Sequence, residues 1–210
     1  MTPAQSKKNK ADSTIFGTTP EGEKIVRHQI SNGGTSISVL SWGATIQELR
    51  VMGESHSLIL GGRDVAAYLG SMQYFGAVVG PVANRIAGAE MEIAGIRHQL
   101  DKNEAGRTTL HSGVAGYSGR NWRFTNVTPT RCRLELHHPD GLGGMPGNIN
   151  ASVTYTIDNA GHLEIEMTGA ADQPTYFNPA FHGYWNLSGS ADLSDHRLMV
   201  PATSYLPVDD

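Results

Sequence analysis

Strict alternation of apolar and polar residues, broken by short turn signals, narrowly limits what this 210-residue chain can fold into. From Ile149, the residues Ala151, Val153, Tyr155 and Ile157 recur at every second position and run into Asp158-Asn159-Ala160-Gly161. Leu163, Ile165 and Met167 then lead back, with Glu164 and Glu166 between them. A period of two puts alternate side chains on opposite faces of an extended strand, and a polar turn joins two such strands as an antiparallel pair. One face of that pair is apolar and the other meets water. The pattern returns where Ile37 and Val39 alternate with Ser36 and Ser38, and where Cys132, Leu134 and Leu136 alternate with Arg131, Arg133 and Glu135. Ala94-Gly95 separates Met91 and Ile93 from Ile96, His98 and Leu100, a two-residue hairpin signal. No segment sustains the i, i+3, i+4, i+7 pattern of a long amphipathic helix, though Asp64 to Leu69 has room for one turn. The 25 glycines supply turns for many short strands. An all-β chain is therefore expected: one antiparallel β-sandwich over residues 14–210, with residues 1–13 a disordered polar tail.

Composition excludes several classes of partner. Sixteen Lys and Arg stand against 20 Asp and Glu, a formal net charge of −4, so no nucleic-acid partner and no anionic membrane partner is expected. No apolar run approaches a membrane span, and the three lysines of the first 13 residues have no apolar stretch behind them to make a secretory signal. The single cysteine, Cys132, rules out an intramolecular disulfide and fits a reducing compartment, so a cytoplasmic location is expected. Its place in an alternating strand reads as a small buried apolar residue. His137 and His138 are adjacent on a strand and face opposite ways, which argues against a shared metal ion. Tyr74, Phe75 and Met72 read as core residues. The chain has no Walker loop, no G-x-G-x-x-G after a strand and no G-x-S-x-G elbow.

Three segments carry polar groups that a sandwich does not need for packing. Gly80-Pro81-Val82-Ala83-Asn84-Arg85-Ile86 sets Asn84 and Arg85 among small and apolar residues. Arginine has five rigid donors and a permanent charge, so it holds either a ligand acceptor or an internal carboxylate or carbonyl. Thr108-Thr109-Leu110-His111-Ser112-Gly113 places His111 in a Gly-rich loop, where a lone histidine is either a site residue or a surface one. Phe181-His182-Gly183-Tyr184-Trp185-Asn186-Leu187, read as a strand, puts His182, Tyr184 and Asn186 on one face and the apolar residues on the other. Hydrogen-bonding groups beside aromatic surface suit a sugar, whose hydroxyls want paired donors and acceptors while its C–H faces pack on rings.

These blocks, in this order, resemble the aldose 1-epimerase (galactose mutarotase) family. The resemblance begins at Phe16-Gly17 and continues through Trp42-Gly43-Ala44-Thr45-Ile46, Leu60-Gly61-Gly62 and Tyr68. It is most diagnostic at Tyr74-Phe75-Gly76-Ala77-Val78-Val79-Gly80 followed by Ala83-Asn84-Arg85-Ile86-Ala87. Leu110-His111-x-Gly113, His182-x-Tyr184-Trp185-Asn186-Leu187-x-Gly189 and Tyr205-Leu206-Pro207-Val208-Asp209 extend it nearly to the end. The fold it implies is the large mutarotase-type supersandwich.

The activity it implies is interconversion of the α and β anomers of a free aldohexose, such as galactose or glucose, by acid–base ring opening. The substrate is then a small sugar, the enzyme an isomerase, monomer or homodimer, and no cofactor or metal is implied. By the resemblance His182 is the acid that protonates the ring oxygen, and histidine's ordinary pKa of about 6.5 suits that task. His111 is a second catalytic, hydrogen-bonding group near the ring oxygen, and Arg85 and Asn84 bind sugar hydroxyls. The chain departs from the family pattern at Pro81, Ser112 and Phe181, where Arg, Gly and Asn are usual. The family's base Glu and a sugar-holding Asp have no matching positions before Asp210, so the chain is expected to be the larger, N-terminal part of such a domain and to be nearly inactive alone. Three other readings fit some of the residues: a non-catalytic carbohydrate-binding sandwich, an epimerase for hexose phosphates, and a structural β domain whose polar segments are internal braces.

Overall fold

The computed structural model describes residues 13–205. In chain order the first sheet contains β1 (Ser13–Thr18), β2 (Lys24–Asn32), β3 (Thr35–Leu40) and β4 (Ile46–Val51). A single short helix, α1 (Val65–Leu69), and five brief strands follow. These are β5 (Ala77–Val79), β6 (Arg85–Ile86), β7 (Glu90–Ile93), β8 (Ile96–Gln99) and β9 (Thr109–Leu110). The second sheet is β10 (Arg123–Val127), β11 (Arg131–His138), β12 (Ile149–Ile157) and β13 (Leu163–Ala171), and β14 (Ala180–His182) comes last. Both four-stranded sheets are antiparallel meanders, ordered β1-β2-β3-β4 and β10-β11-β12-β13. The polar tail expected over 1–13 lies outside the described residues, apart from Ser13, which opens β1.

Period-two burial makes these sheets pack. Ile30, Ile37 and Val39 of the first sheet share one core with Cys132, Leu134, Val153 and Tyr155 of the second. The alternation seen in the sequence is realised in the β12–β13 pair, where Val153 faces Met167 and Tyr155 faces Ile165, while Glu164 and Glu166 stay exposed. The turn between them is held by Asp158, whose Oδ1 accepts from the backbone N–H of Ala160 at 2.8 Å and of His162 at 2.9 Å. The β2–β3 turn meets this one: Asn32 Nδ2 donates to Ile157 O at 3.2 Å, and Thr35 Oγ1 donates to Gly161 O at 2.8 Å. Gly33 sits there at φ +54°, and a Cβ on it would lie 2.3 Å from Gly161 N, so glycine is required where the hairpin tips touch.

The Ala94-Gly95 hairpin forms with φ of 51° and 78°, the positive pair of a type I′ turn. Met91, Ile93 and Leu100 line a small separate core, but Ile96 is 61% exposed rather than inward. Asp64 caps α1 by accepting from Ala67 N–H at 3.0 Å. Cys132 is buried, and burial pushes its thiol up to about 12. His137 and His138 face opposite ways: His137 Nδ1 lies 2.9 Å from Asn150 Oδ1 on the exposed face, and buried His138 donates from Nε2 to Leu142 O at 3.1 Å. No group of three or more potential metal ligands comes together among the described residues, and none of the described helices is long and apolar enough to cross a membrane.

Candidate active site

Two small antiparallel pairings bring the predicted residues together. In the β6–β9 pair Arg85 is opposite Leu110, which sets Asn84 beside His111. His111 N–H donates to Asn84 O at 3.0 Å, and Asn84 N–H donates back to His111 Nδ1 at 3.0 Å. Both residues sit in the left-handed region, at φ 51° for His111 and 64° for Asn84, a conformation that Asn and His adopt more readily than most side chains. Ser112 follows at φ 68°; its hydroxyl accepts from Val82 N–H at 2.9 Å and donates to Val82 O at 3.0 Å, fixing the loop behind His111. In the β5–β14 pair His182 is opposite Ala77, and Gly76 N–H donates to His182 O at 2.9 Å. The segment before β14 is tied to the Asn84 segment by Asn178 N–H to Pro81 O at 2.7 Å and Ala83 N–H to Asn178 O at 2.9 Å.

These ties converge on a cleft of about 440 Å³, a size that suits a small molecule. Asn84, Arg85, His111 and His182 all line it. The His111 and His182 rings meet edge to face at a centroid distance of 5.0 Å and an interplanar angle of 88°. Tyr74 packs its ring edge against His111 at 4.8 Å and lies 5.9 Å from His182. Tyr184 stacks on His182 at 5.1 Å and on Phe75 at 3.7 Å, so an aromatic stack fixes the plane of the His182 ring.

Electrostatics distinguish the members. Burial, the neighbouring His182 ring and the Arg85 guanidinium hold His111 down to about 4, with Glu104 opposing them in part. The bond from Asn84 N–H occupies Nδ1, so the proton of the neutral ring is on Nε2 and that nitrogen is a donor. Arg85 is paired in a bidentate fork: Nε and Nη2 donate to the two oxygens of Glu104, each at 2.7 Å. The Arg85 hydrogen bond first, then that of Thr108, holds the Glu104 carboxyl below the usual carboxylate range. Burial, and then the charge of Glu104, raises the Tyr74 phenol.

All four sequence-predicted site residues thus share one cleft, and Arg85, which lines it, has an internal carboxylate partner in Glu104. The extended face expected across residues 182–186 does not form as drawn. β14 ends at His182, and the next residues pair instead with residues 58–60 through an antiparallel bridge of Trp185 to Ile59. The Asn186 side chain turns away to donate from Nδ2 to Ser190 O at 2.8 Å, lining a different depression. Trp185 and Leu187, expected to pack, are 43% and 58% exposed, whereas Phe181 does pack on the main core. Tyr184 lines the cleft with His182, on the face they were expected to share, and Tyr74, expected as core, lines it too. Glu104 was missed because nothing in a one-dimensional pattern pairs it with Arg85; its place in the same long Gly-containing loop as His111 was the available signal.

The profile of the aldose 1-epimerase family matches residues 27–210. Galactose mutarotase of Mus musculus is 37% identical over 203 residues, covering 94% of this chain and 58% of the mouse protein. Aldose 1-epimerase of Haemophilus influenzae is 35% identical over 204 residues, covering 95% of this chain and 59% of its own length. Among solved structures, the galactose 1-epimerase of Lactobacillus acidophilus superposes with a TM-score of 0.74 at 27% identity, over 85% of this chain and 53% of that one. The chain therefore spans a little under three-fifths of the length of these curated relatives. A profile match across most of its length and relatives above one-third identity agree with the sandwich, and the chain belongs to the aldose 1-epimerase family.

Proposed function

We propose that this chain carries the acid side and the sugar-holding groups of an aldose 1-epimerase acting on a free aldohexose. The observation that carries the reading is the convergence of His111 and His182, 5.0 Å apart, beside Asn84 and Arg85 in a single cleft. In mutarotation a base takes the proton of the C1 hydroxyl while an acid gives one to the ring oxygen. The C1–ring oxygen bond breaks, the open-chain aldehyde rotates about C1–C2, and reversal of the proton transfers closes the other anomer. His182 is the proton donor to the ring oxygen, its ring plane set by Tyr184. His111, neutral at working pH, donates from Nε2 and polarises the same region without competing for the proton. Asn84 and the edge of Arg85 that Glu104 does not take hold hydroxyls and keep the ring in register, which is where most of the rate advantage of a positioned acid arises.

No carboxylate lines this cleft among the described residues, and Glu104 is a weak candidate for base because three donors already hold it. That observation favours a second reading, a carbohydrate-binding sandwich that holds the sugar without turning it over. Two measurements on the 210-residue chain separate them. Histidine ring NMR signals of His111 and His182 are expected to shift on titration with D-galactose or D-glucose, and to stop shifting in Arg85→Ala. Polarimetry of freshly dissolved α-D-galactose is expected to show a small acceleration that His182→Asn removes; binding with no acceleration supports the second reading. No ring shift at any hexose concentration sinks both.

A further inference from the structure

Arg85 is the one permanently charged side chain lining the cleft among the described residues. A guanidinium has two edges, Nε/Nη2 and Nη1/Nη2, either of which grips a carboxylate or a phosphate. Here the Nε/Nη2 edge is already filled by both oxygens of Glu104, at 2.7 Å each. Nη1 is left with a contact of 3.5 Å to Asn84 Oδ1, the outer limit of a hydrogen bond. Glu104 is itself held from behind. Thr108 Oγ1 donates to its Oε2 at 2.9 Å, and its backbone exchanges two 3.2 Å bonds with Thr108 across a closed turn. The side chains of Arg85 and Glu104 are 38% and 29% exposed, so the pair contributes little to folding and its consequence is local.

We propose that Glu104 sets the charge selectivity of the cleft: by clamping Arg85 through both carboxylate oxygens it orients the guanidinium and cancels its charge, so that the site takes an uncharged aldose and rejects one carrying phosphate. This rests on the aldose reading above and narrows it against the hexose-phosphate alternative. Arg85 then offers a neutral hydroxyl the oriented donors of its remaining Nη1/Nη2 edge. A phosphate dianion arriving at that edge finds the guanidinium charge already neutralised by a carboxylate close by, and like charges at close quarters reject a partner strongly. Glu104 acts through Arg85, so it is a positioning residue rather than a catalytic one.

The test compares D-galactose with D-galactose 6-phosphate at pH 8, read by the ring signals of His111 and His182 in the 210-residue chain and three variants. In the unaltered chain galactose is expected to bind and its 6-phosphate to bind about tenfold more weakly or not at all. Glu104→Gln keeps the shape and removes the charge, and is expected to shift the ratio of the two affinities about tenfold toward the phosphate. Glu104→Asp keeps the charge and restores the original preference. Adding Arg85→Ala to Glu104→Gln removes the gain, which locates it at the guanidinium. If the unaltered chain binds galactose and Glu104→Gln leaves the ratio unchanged, the role of Glu104 is overturned while the aldose reading stands. If the unaltered chain binds neither sugar, both fall. Loss of the folded amide spectrum in Glu104→Gln marks the pair as structural and also overturns the proposal.

Discussion

Replacing His111 by Asn tests the electrostatics of the cleft most directly. Asn tolerates the left-handed backbone that His111 adopts at φ 51°, so the substitution removes the ring without forcing the loop to rebuild. His111 is held down to about 4 by burial, by the His182 ring 5.0 Å away and by Arg85, with Glu104 opposing. At pH 6.5 an ordinary imidazole is half charged, whereas His111 is almost wholly neutral. The unfolded chain therefore binds a proton between pH 6.5 and about 4 that the folded chain refuses. Folding stability must fall as pH drops through that window, and the loss levels off below about pH 4. A pKa displaced from 6.5 to about 4 corresponds at the limit to about 3.4 kcal/mol. Solvent reaches this half-buried ring, and screening reduces the figure to about 1–2 kcal/mol. Urea unfolding midpoints from pH 7 to pH 4 measure it. The unaltered chain is expected to lose that much more stability across the range than His111→Asn. His138, also held down by burial, contributes with the same sign to both proteins and cancels in the difference. Ring ¹⁵N shifts supply the second reading, with the proton on Nε2. A His111 that titrates above pH 6, or carries its neutral proton on Nδ1, refutes the reasoning.

Three further outcomes concern the scaffold. Tyr155→Phe removes a fully buried hydroxyl that donates to Ala44 O at 2.5 Å between the two sheets, and thermal or urea unfolding is expected to show a loss of about 1–2 kcal/mol. Leu134→Ala empties a site of 0% exposure in the shared core and is expected to cost about 2–5 kcal/mol by the same assay. Cys132, buried with its thiol pushed up to about 12, is expected to ignore an aromatic disulfide reagent in the folded chain and to react at once in denaturing urea.

Alternation and turn chemistry were legible in one dimension because both are local. Val153, Tyr155 and Ile157 face inward for the same reason that Glu164 and Glu166 face water: a strand has a period of two and one side of this sheet is covered. Ala94-Gly95 makes its turn because the pair tolerates two positive φ angles, and Asp64 starts a helix because its oxygen reaches Ala67 N–H. The same logic fails at Ile96 and at Trp185–Leu187, where the pattern suggests a packed face and no neighbouring layer among the described residues covers it. It also fails at Asn186, whose backbone pairs with Leu58 while its side chain turns away to Ser190.

The residue sequence by itself determined the strands, their antiparallel pairing, the burial of Cys132, the opposed faces of His137 and His138, and, through family resemblance, the set Asn84, Arg85, His111 and His182. Tertiary structure decided the rest. It brought His111 and His182 within 5.0 Å through two separate short strand pairs, placed Tyr74 and Tyr184 around them, and closed Glu104 on Arg85. These contacts join residues distant in the chain, and they depend on two segments, one before β6 and one after β9, in which Asn84, His111 and Ser112 all take positive φ. Periodicity records which face of an element is buried; it carries no information about where an irregular loop returns, and that return decides which groups meet in this cleft.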